Sequence, residues 1–349
     1  MDMGQFKVVD AGFMTTVQDL GRYGYQQYGV SVSGAMDHVA AKLANILVGN
    51  DENEGLLEAT MIGPKVEFLD NAVIAITGGD LQPAINGKSL ELNTSIAVNK
   101  GDFLSFKGMK TGLRSYIAFA GGIDVPVVMG SKSTFLKAQI GGYEGRTLRA
   151  GDILKTGIAP MSVSGREIAG NFYDYGSAIV ELRVVLGPQD DAFTENGVET
   201  FFNSKFSVTN NCDRMGYTLT GEKIEHKDGA DIISDGISMG AIQVPSSGTP
   251  IIMMADRQTT GGYTKIANVI TADLPKLAQA KPGDVVVFKK STIEEAHMLL
   301  KNLENKIDEV KKQLYAKNKN IADEIIVNNI KSYNVRVNGK SYAVKVEEL

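Results

Sequence analysis

Residues 15–50 read TTVQDLGRYGYQQYGVSVSGAMDHVAAKLANILVGN and mix side chains of both charge signs with glycines. A segment that only fills a core would show apolar residues at period 2 or 3.6. The residues after Gly34 do recur at helical spacing, so we predict a helix with Ser33 as N-cap and Asp37 in its first turn. A polar, glycine-rich loop ahead of a helix suits an anion, and a plain capped helix after a tight loop is the alternative.

Composition limits the classes of function. The chain has 349 residues, 43% of them hydrophobic, which predicts two or three domains with sizeable cores. The net charge of −5 argues against a nucleic-acid partner, because such surfaces are normally basic. The sequence contains no run of 18 apolar residues, so we predict no membrane span. The N-terminus lacks the features of a secretory signal.

Cysteine and histidine usage narrows the chemistry further. The single cysteine, Cys212, fits a reducing compartment, so we expect a cytoplasmic protein. The three histidines, His38, His226 and His297, are widely spaced and support neither a zinc site nor a His-based triad. We therefore predict no metal site. Any chemistry must rest on carboxylates, Arg, Lys, Ser and backbone amides.

The chain is organised as two β-rich halves followed by a helical tail. Short apolar runs between turn residues fill 63–157, where Asn86-Gly87 predicts a hairpin, and a second β-rich part covers 181–290. Gly-Asp pairs at 101–102, 151–152 and 283–284 each precede an apolar run and are interpreted as structural turns. Residues 1–62 form a loop-helix segment packed on the first half, and residues 158–180 form a connector.

The last part of the chain changes character at Ser291. Residues 291–331 carry apolar side chains at a and d of three heptads, which predicts an amphipathic helix. Residues 332–349 alternate apolar and polar side chains around Asn338-Gly339, which predicts a β-hairpin.

Candidate site residues lie where apolar strands give way to polar loops. In the first segment, Arg22 suits a carboxylate or phosphate, and Gln18 and Asp19 stand beside it. A local ion pair between Asp19 and Arg22 is the alternative. Ser33 and Gly34, at the predicted helix start, complete this group as substrate-binding candidates.

A second group follows the apolar strand AVIAIT. Gly78 and Gly79 expose backbone amides that suit an anion, and Asp80 could carry a proton, whereas a tight turn is the alternative. Arg114 heads another apolar run, where a buried charge needs either an internal acid or a substrate carboxylate. Loop 130–134, GSKST, has the composition of a phosphate loop but not the Walker A pattern.

The third group lies in the second half. Asp256 and Lys265 are predicted to be catalytic together with Asp19 and Asp80, the acids as proton carriers and the lysine neutralising developing charge. The predicted substrate-binding residues of this half are Asp213, Arg214, Ser234, Gln258, Gly261 and Gly262. A polar turn between two strands is the alternative for 256–262.

These motifs together carry a resemblance. Six motifs follow one another along the chain: the opening TTVQDLGRYGYQQYGVSVSGAMD, AITGGD at 75–80, RSYIAFAGGI at 114–123, CDRMGY at 212–217, SDG at 234–236 and GTPIIMMADRQTTGGY at 248–263. In this order they resemble the KipI-antagonist (KipA-like) family. That family is also described as allophanate hydrolase subunit 2, as the biotin-dependent carboxyltransferase family and as the C-type 5-oxoprolinase subunit.

The resemblance implies a mainly β fold with two cyclophilin-like β-barrel subdomains. It implies the C-type subunit of an ATP-dependent 5-oxoprolinase, which opens 5-oxoproline to glutamate with two partners, one KipI-like and the other LamB/YcsF-like. ATP, with Mg²⁺, would be the cofactor, bound either by this chain or by a partner.

Two alternatives remain open. One is a biotin-dependent carboxyltransferase subunit that acts on urea or a related amide, and the tail hairpin resembles the opening strands of a biotin-carrier domain. The other is a non-catalytic regulator that binds a KipI-like kinase inhibitor. We expect Gln18, Asp19 and Arg22 to face 256–265 across a cleft, and the catalytic prediction assumes that Asp19, Asp80 and Asp256 converge.

Overall fold

The computed structural model describes the backbone of residues 4–157, 163–170, 172–337 and 340–347, and side chains only as far as residue 315. The protein divides into two compact units, Met1–Glu304 and Asn305–Leu349. The first unit contains both β-rich halves. Residues 158–162 and 171 of the predicted connector, and the predicted turn residues 338 and 339, lie outside the described part.

The strands of the first half are β1 (Gln5–Asp10), β2 (Met14–Gln18), β3 (Leu56–Thr60), β4 (Lys65–Phe68), β5 (Ala72–Asp80), β6 (Pro83–Ile85), β7 (Lys88–Ser89), β8 (Ser95–Val98), β9 (Phe103–Phe106), β10 (Thr111–Phe119), β11 (Ile123–Asp124) and β12 (Ile153–Thr156). They form two sheets, seven-stranded in the order β11-β12-β1-β4-β9-β6-β7 and five-stranded in the order β2-β3-β10-β5-β8. Residues 1–62, predicted to pack on this half, thus supply three of its strands.

The two sheets bury one apolar core between them, in which the ring of Phe6 stacks on that of Phe119 with centroids 4.3 Å apart. Helix α1 (His38–Leu47) packs on β5 and β10. Because these strands are covered on both faces, they are buried almost throughout rather than at alternate residues. The predicted hairpin at Asn86-Gly87 joins β6 to β7, with φ of 50° and 83° at the two turn residues.

The start of α1 corrects one prediction. The N-cap is Asp37, whose carboxylate accepts a hydrogen bond from the N–H of Ala40 at 2.9 Å. Ser33 instead adopts a left-handed φ of 57°, and its N–H donates to the carbonyl of Ala255 in the other half at 3.1 Å. The polar loop therefore ends four residues later than predicted and joins the two halves.

The elements of the second half are β13 (Ile179–Leu186), α2 (Glu195–Asn203), β14 (Phe206–Cys212), β15 (Gly216–Thr220), β16 (Asp231–Gly236), β17 (Ala241–Gln243), β18 (Ile251–Met253), β19 (Thr260–Tyr263), β20 (Lys265–Val269), α3 (Leu274–Ala278) and β21 (Val285–Lys290). Seven of the strands form a closed barrel in the order β13-β20-β17-β18-β15-β14-β21, and β16 and β19 form a separate two-stranded ribbon. The barrel encloses its own core, which includes the stacked rings of Phe201 and Phe288. The mainly β prediction is confirmed.

The predicted tail elements are present as a helix and a hairpin. Helix α4 (Ile293–Asn329) begins in the first unit and continues into the second, where β22 (Ile330–Val337) pairs antiparallel with β23 (Lys340–Glu347). In the described part of the chain, no helix combines the length and apolar character that crossing a membrane requires.

Candidate functional site

Asp19 is enclosed by loop 130–134. Its Oδ1 accepts hydrogen bonds from the hydroxyls of Ser131 and Ser133 and from the N–H of Gly21, and its Oδ2 accepts from the N–H of Lys132 at 2.6 Å. These four donors satisfy both oxygens of a carboxylate that is almost fully buried. Asp19 therefore anchors the loop and takes both of its serine hydroxyls, while the hydroxyl of Thr134 donates to the carbonyl of Val17.

Arg22 is a buried cation, and one nitrogen of its guanidinium lacks a hydrogen-bond partner among the described residues. Its Nε donates to the carbonyl of Val128 at 2.9 Å and its Nη2 to that of Ser133 at 2.8 Å, while Nη1 has no partner in the described part of the chain. Burial lowers the pKa of the Arg22 guanidinium, and the nearby carboxylates of Asp19 and Asp256 act in the opposite direction. Arg22 thus lies in the field of both predicted catalytic acids.

A buried ion triad, Glu58–Arg214–Asp256, joins the two halves. The guanidinium of Arg214 binds Asp256 through two hydrogen bonds of 2.9 Å, binds Glu58 through Nη1, and donates to the carbonyl of Gly34 at 2.7 Å. Burial alone would raise the pKa of Glu58, but Arg214 and Arg114 hold it below its usual value. Arg214 and Asp256, predicted separately as a substrate-binding and a catalytic residue, therefore pair with each other, and the pair clamps the barrel to the first half.

Arg114 and the Gly78-Gly79 pair belong to a neighbouring network. Nη1 of Arg114 donates to the hydroxyl of Tyr217 at 2.7 Å and to a carbonyl of α3. Gln279 holds the backbone here, since its Oε1 accepts from the N–H of Arg114 at 2.8 Å. A Cβ on Gly79 would lie only 2.9 Å from that Oε1, so the glycines permit close packing of strand against side chain.

Two predicted site acids act as local turn anchors instead. Asp80 accepts from the N–H of Gln82 and pairs with Lys110 at 3.1 Å. Asp213 accepts from the N–H groups of Met215 and Gly216. In the described residues Asp80 shares no contact with Asp19 or Asp256, so the assumed convergence of three carboxylates is wrong for Asp80. Its strand end lies at a different edge of the fold.

A cavity of about 300 Å³ lies where the N-terminal segment meets 256–260. Ser31 fixes this junction, because its hydroxyl donates to the carbonyl of Arg257 at 2.6 Å. The cavity lining is part apolar and part polar: Gly29, Ser31, Phe135, Lys137, Ala138, Met215, Asp256, Gln258, Thr259 and Thr260. A cavity therefore lies opposite 256–260, but its first wall is formed by Gly29, Ser31, Phe135, Lys137 and Ala138. The three residues predicted for that wall, Gln18, Asp19 and Arg22, are all absent from the lining.

A larger cavity of about 650 Å³ adjoins the first, and Thr259 and Thr260 line both. Lys265 lines it and is 4% exposed. Its Nζ lies 3.0 Å from Oδ2 of Asp235, an acid of the ribbon whose side chain is 55% exposed. The charge of Lys265 holds the pKa of the Asp235 carboxyl below its usual range.

The predicted residues Ser234, Gly261 and Gly262 lie on the two strands of the ribbon beside this cavity. A Cβ on Gly261 would meet the side chain of Gln243, whose buried Nε2 has no partner in the described residues. Three residues that organise the site were not among the predicted site residues: Glu58, Gln279 and Asp235, which the sequence analysis named only within the SDG motif. Of these, Glu58 could have been found, because an acid inside the apolar strand LLEAT requires a cationic partner.

No group of three or more His, Cys, Asp or Glu side chains in the described part of the chain is arranged to hold a metal ion. The site is instead a pair of adjoining cavities lined by the buried Lys265, the exposed Lys137, the acids Asp235 and Asp256, and several hydroxyl and amide groups. Such a site can bind and orient a small polar or anionic molecule.

Comparison with known proteins identifies the family of the chain. Residues 28–290 match the family model described as "Carboxyltransferase domain, subdomain A and B". The chain is 39% identical to the C-type 5-oxoprolinase subunit of Escherichia coli (strain K12) over 83% of its length and 92% of the relative's. It is 35% identical to the C-type 5-oxoprolinase subunit of Haemophilus influenzae (strain ATCC 51907 / DSM 11121 / KW20 / Rd), over 89% and 99% of the two chains.

Among solved structures, the crystal structure of the Kluyveromyces lactis urea amidolyase is similar, with a TM-score of 0.80 and 33% identity over 88% of this chain and 20% of that one. The resemblance inferred from the sequence motifs is confirmed. The chain belongs to the family of carboxyltransferase domains, subdomains A and B.

Proposed function

We propose that this chain is the C-type subunit of an ATP-dependent 5-oxoprolinase, which opens 5-oxoproline to glutamate together with two partners, one KipI-like and the other LamB/YcsF-like. One observation carries the proposal. The chain matches 92% and 99% of the length of two relatives named as this 5-oxoprolinase subunit, but only 20% of the urea amidolyase.

We place the substrate in the larger cavity. 5-Oxoproline has a carboxylate and a lactam amide, so its site needs a cation and neutral hydrogen-bonding groups. Lys265 supplies the cation, and Thr259, Thr260 and Gln26 supply hydroxyl and amide groups on the same lining. These residues would bind and orient the lactam and keep its carboxylate away from bulk water.

In such a reaction ATP would activate the lactam, but the described residues of this chain do not form a suitable binding site for ATP. The loop that resembles a phosphate loop in composition binds Asp19 with both serine hydroxyls, and its lysine pairs with Glu54. Lys265 alone is a poor match for a triphosphate. We therefore assign ATP to one of the partners and derive no step through it.

The family match and the likeness to urea amidolyase favour a second candidate, a biotin-dependent carboxyltransferase subunit that acts on urea or a related amide. The smaller cavity fits the chemistry of biotin, since Phe135 and Met215 suit an apolar ring and Gln258 and Thr260 suit its polar ureido end. Those four residues would hold it, and biotin would carry the carboxyl group.

Reconstitution separates these functions. The chain is co-expressed with the KipI-like and LamB/YcsF-like subunits, and 5-oxoproline-dependent release of ADP and glutamate is measured. Biotin-dependent carboxylation of urea without oxoprolinase turnover would favour the second candidate. Tight binding to the KipI-like partner without turnover under either condition would identify a non-catalytic regulator.

A further inference from the structure

The ribbon β16–β19 carries Asp235 and is joined through Thr264 to the barrel strand β20. It forms a sheet of its own, and the register between its strands shifts between Asp231 and Asp235. Its strand β16 is exposed at nearly every residue, and Ile233 is 94% exposed. A two-stranded ribbon with so little buried surface has low local stability, so it can move without disturbing the barrel core.

The ribbon's carboxylate reaches the buried lysine of the barrel. Lys265 offers three N–H donors at Nζ, and Oδ2 of Asp235 is its one acceptor in the described part of the chain. The two side chains of this ion pair differ in exposure to solvent: that of Lys265 is almost buried, whereas that of Asp235 is 55% exposed. The Asp235 carboxylate also has a hydrogen bond with the side chain of Gln189. Losing the contact with Lys265 would leave the exposed Asp235 carboxylate open to water, whereas Lys265 would have an unpaired charge beside the cavity.

We propose that Asp235 is an exchangeable counter-ion: the carboxylate of a small ligand in the larger cavity replaces it at Nζ of Lys265 and releases the ribbon. Lys265 is never left unpaired in either state, and Asp235 moves from a partly exposed position into water. The ion pair thus holds the ribbon against the cavity when no anionic ligand is bound.

The lining indicates which anion fits. Lys265 is the only cationic residue among those that line the larger cavity in the described part of the chain, so a single carboxylate matches it better than a phosphate. Asn268 already accepts a hydrogen bond from the hydroxyl of Ser238 at 2.6 Å, whereas Thr259 and Thr260 remain on the shared lining for a neutral amide. The ligand class is a small carboxylate with an adjacent amide. Naming 5-oxoproline as that ligand rests on the proposed function.

The test is a calorimetric titration of the full-length chain, alone and with both partners. The probes are 5-oxoproline and pyrrolidin-2-one, which has the same lactam ring without the carboxylate. Asp235→Asn removes the competitor, so 5-oxoproline should bind about fivefold tighter, the scale of a partly exposed ion pair. Pyrrolidin-2-one should bind equally to both forms, and Lys265→Met should lose the preference for 5-oxoproline.

Glu144→Gln is the matched control, because Glu144 is also an exposed acid in an ion pair, with Arg146, outside both cavities. It should bind both probes like the unmodified chain. As a second readout, hydrogen exchange of the amides in β16 should rise when 5-oxoproline binds and should already be raised in Asp235→Asn.

The proposal is overturned if Asp235→Asn binds 5-oxoproline no more tightly, if Lys265→Met keeps the preference, or if 5-oxoproline binds neither the chain nor the complex. Failure of the proposed function looks different. A complex that forms no glutamate, while Asp235→Asn still tightens binding of 5-oxoproline, removes the oxoprolinase assignment and leaves the exchange intact.

Discussion

Replacing Arg214 by Met should strongly destabilise the protein. The guanidinium makes four hydrogen bonds, to Asp256, Glu58 and the carbonyl of Gly34, and all three residues are buried. Without it two carboxylates stay inside the protein with no counter-charge. Breaking a buried pair in this way costs about 3–5 kcal/mol of unfolding free energy. Urea denaturation followed by circular dichroism measures the loss.

Three outcomes separate the clamp from a general packing effect. The triple variant with Glu58→Gln and Asp256→Asn removes the stranded charges, so it should regain most of the loss. Arg146→Met removes a more exposed arginine that pairs with Glu144 and Asp152, and it should change stability by no more than about 1 kcal/mol. A loss below about 1 kcal/mol for Arg214→Met, or a triple variant as unstable as the single one, would refute the reasoning.

Three further changes test other parts of the structure. Asp19→Asn leaves loop 130–134 without its carboxylate, and in urea unfolding it should lose roughly 1–3 kcal/mol; an unchanged midpoint would contradict the anchoring role. Burial lowers the pKa of His38 to about 4, so the unfolded chain binds a proton at this residue more tightly than the folded chain does. The free energy of unfolding should therefore fall by roughly 3 kcal/mol between pH 6.5 and pH 4. His38→Gln should show a shallower pH profile than the unmodified chain, and parallel profiles would exclude the effect. Gly141→Ala should unfold at a lower temperature than Gly151→Ala. Both glycines have positive φ, but only at Gly141 would a Cβ lie 2.0 Å from the carbonyl oxygen of Ser133. Equal unfolding temperatures for the two variants would contradict the close packing at Gly141.

The local features of the fold were predictable because each depends on neighbouring residues. The Asn86-Gly87 turn and the Gly-Asp turns at 101–102, 151–152 and 283–284 precede or join strands as predicted. The tail helix and hairpin likewise follow from heptad and alternating patterns.

The start of α1 was mispredicted because two residue types compete for an N-cap. Both Ser33 and Asp37 suit the position, but Ser33 is drawn into a left-handed conformation by its backbone bond to Ala255, more than 200 residues away. Local pattern contains no information on that contact.

The sequence predicted some of the polar residues at the junction of the two halves but not how they group in space. Arg214 and Asp256 were both identified, yet their common partner Glu58 comes from a strand of the other half. The same limit explains Asp80, which looks like Asp19 in sequence but lies at a different strand end. Convergence is set by the packing of sheets, which spacing along the chain does not encode.

The central claim is tested most directly by glutamate formation in the complex with the KipI-like and LamB/YcsF-like subunits. The account predicts ATP-dependent conversion of 5-oxoproline by the unmodified complex. With Lys265→Met it predicts a KM for 5-oxoproline raised about tenfold or more, the scale of a lost charge-assisted hydrogen bond. Lys110→Met, which removes a surface partner of Asp80, should leave the KM unchanged. No glutamate from the unmodified complex, or an unaltered KM in Lys265→Met, would contradict it.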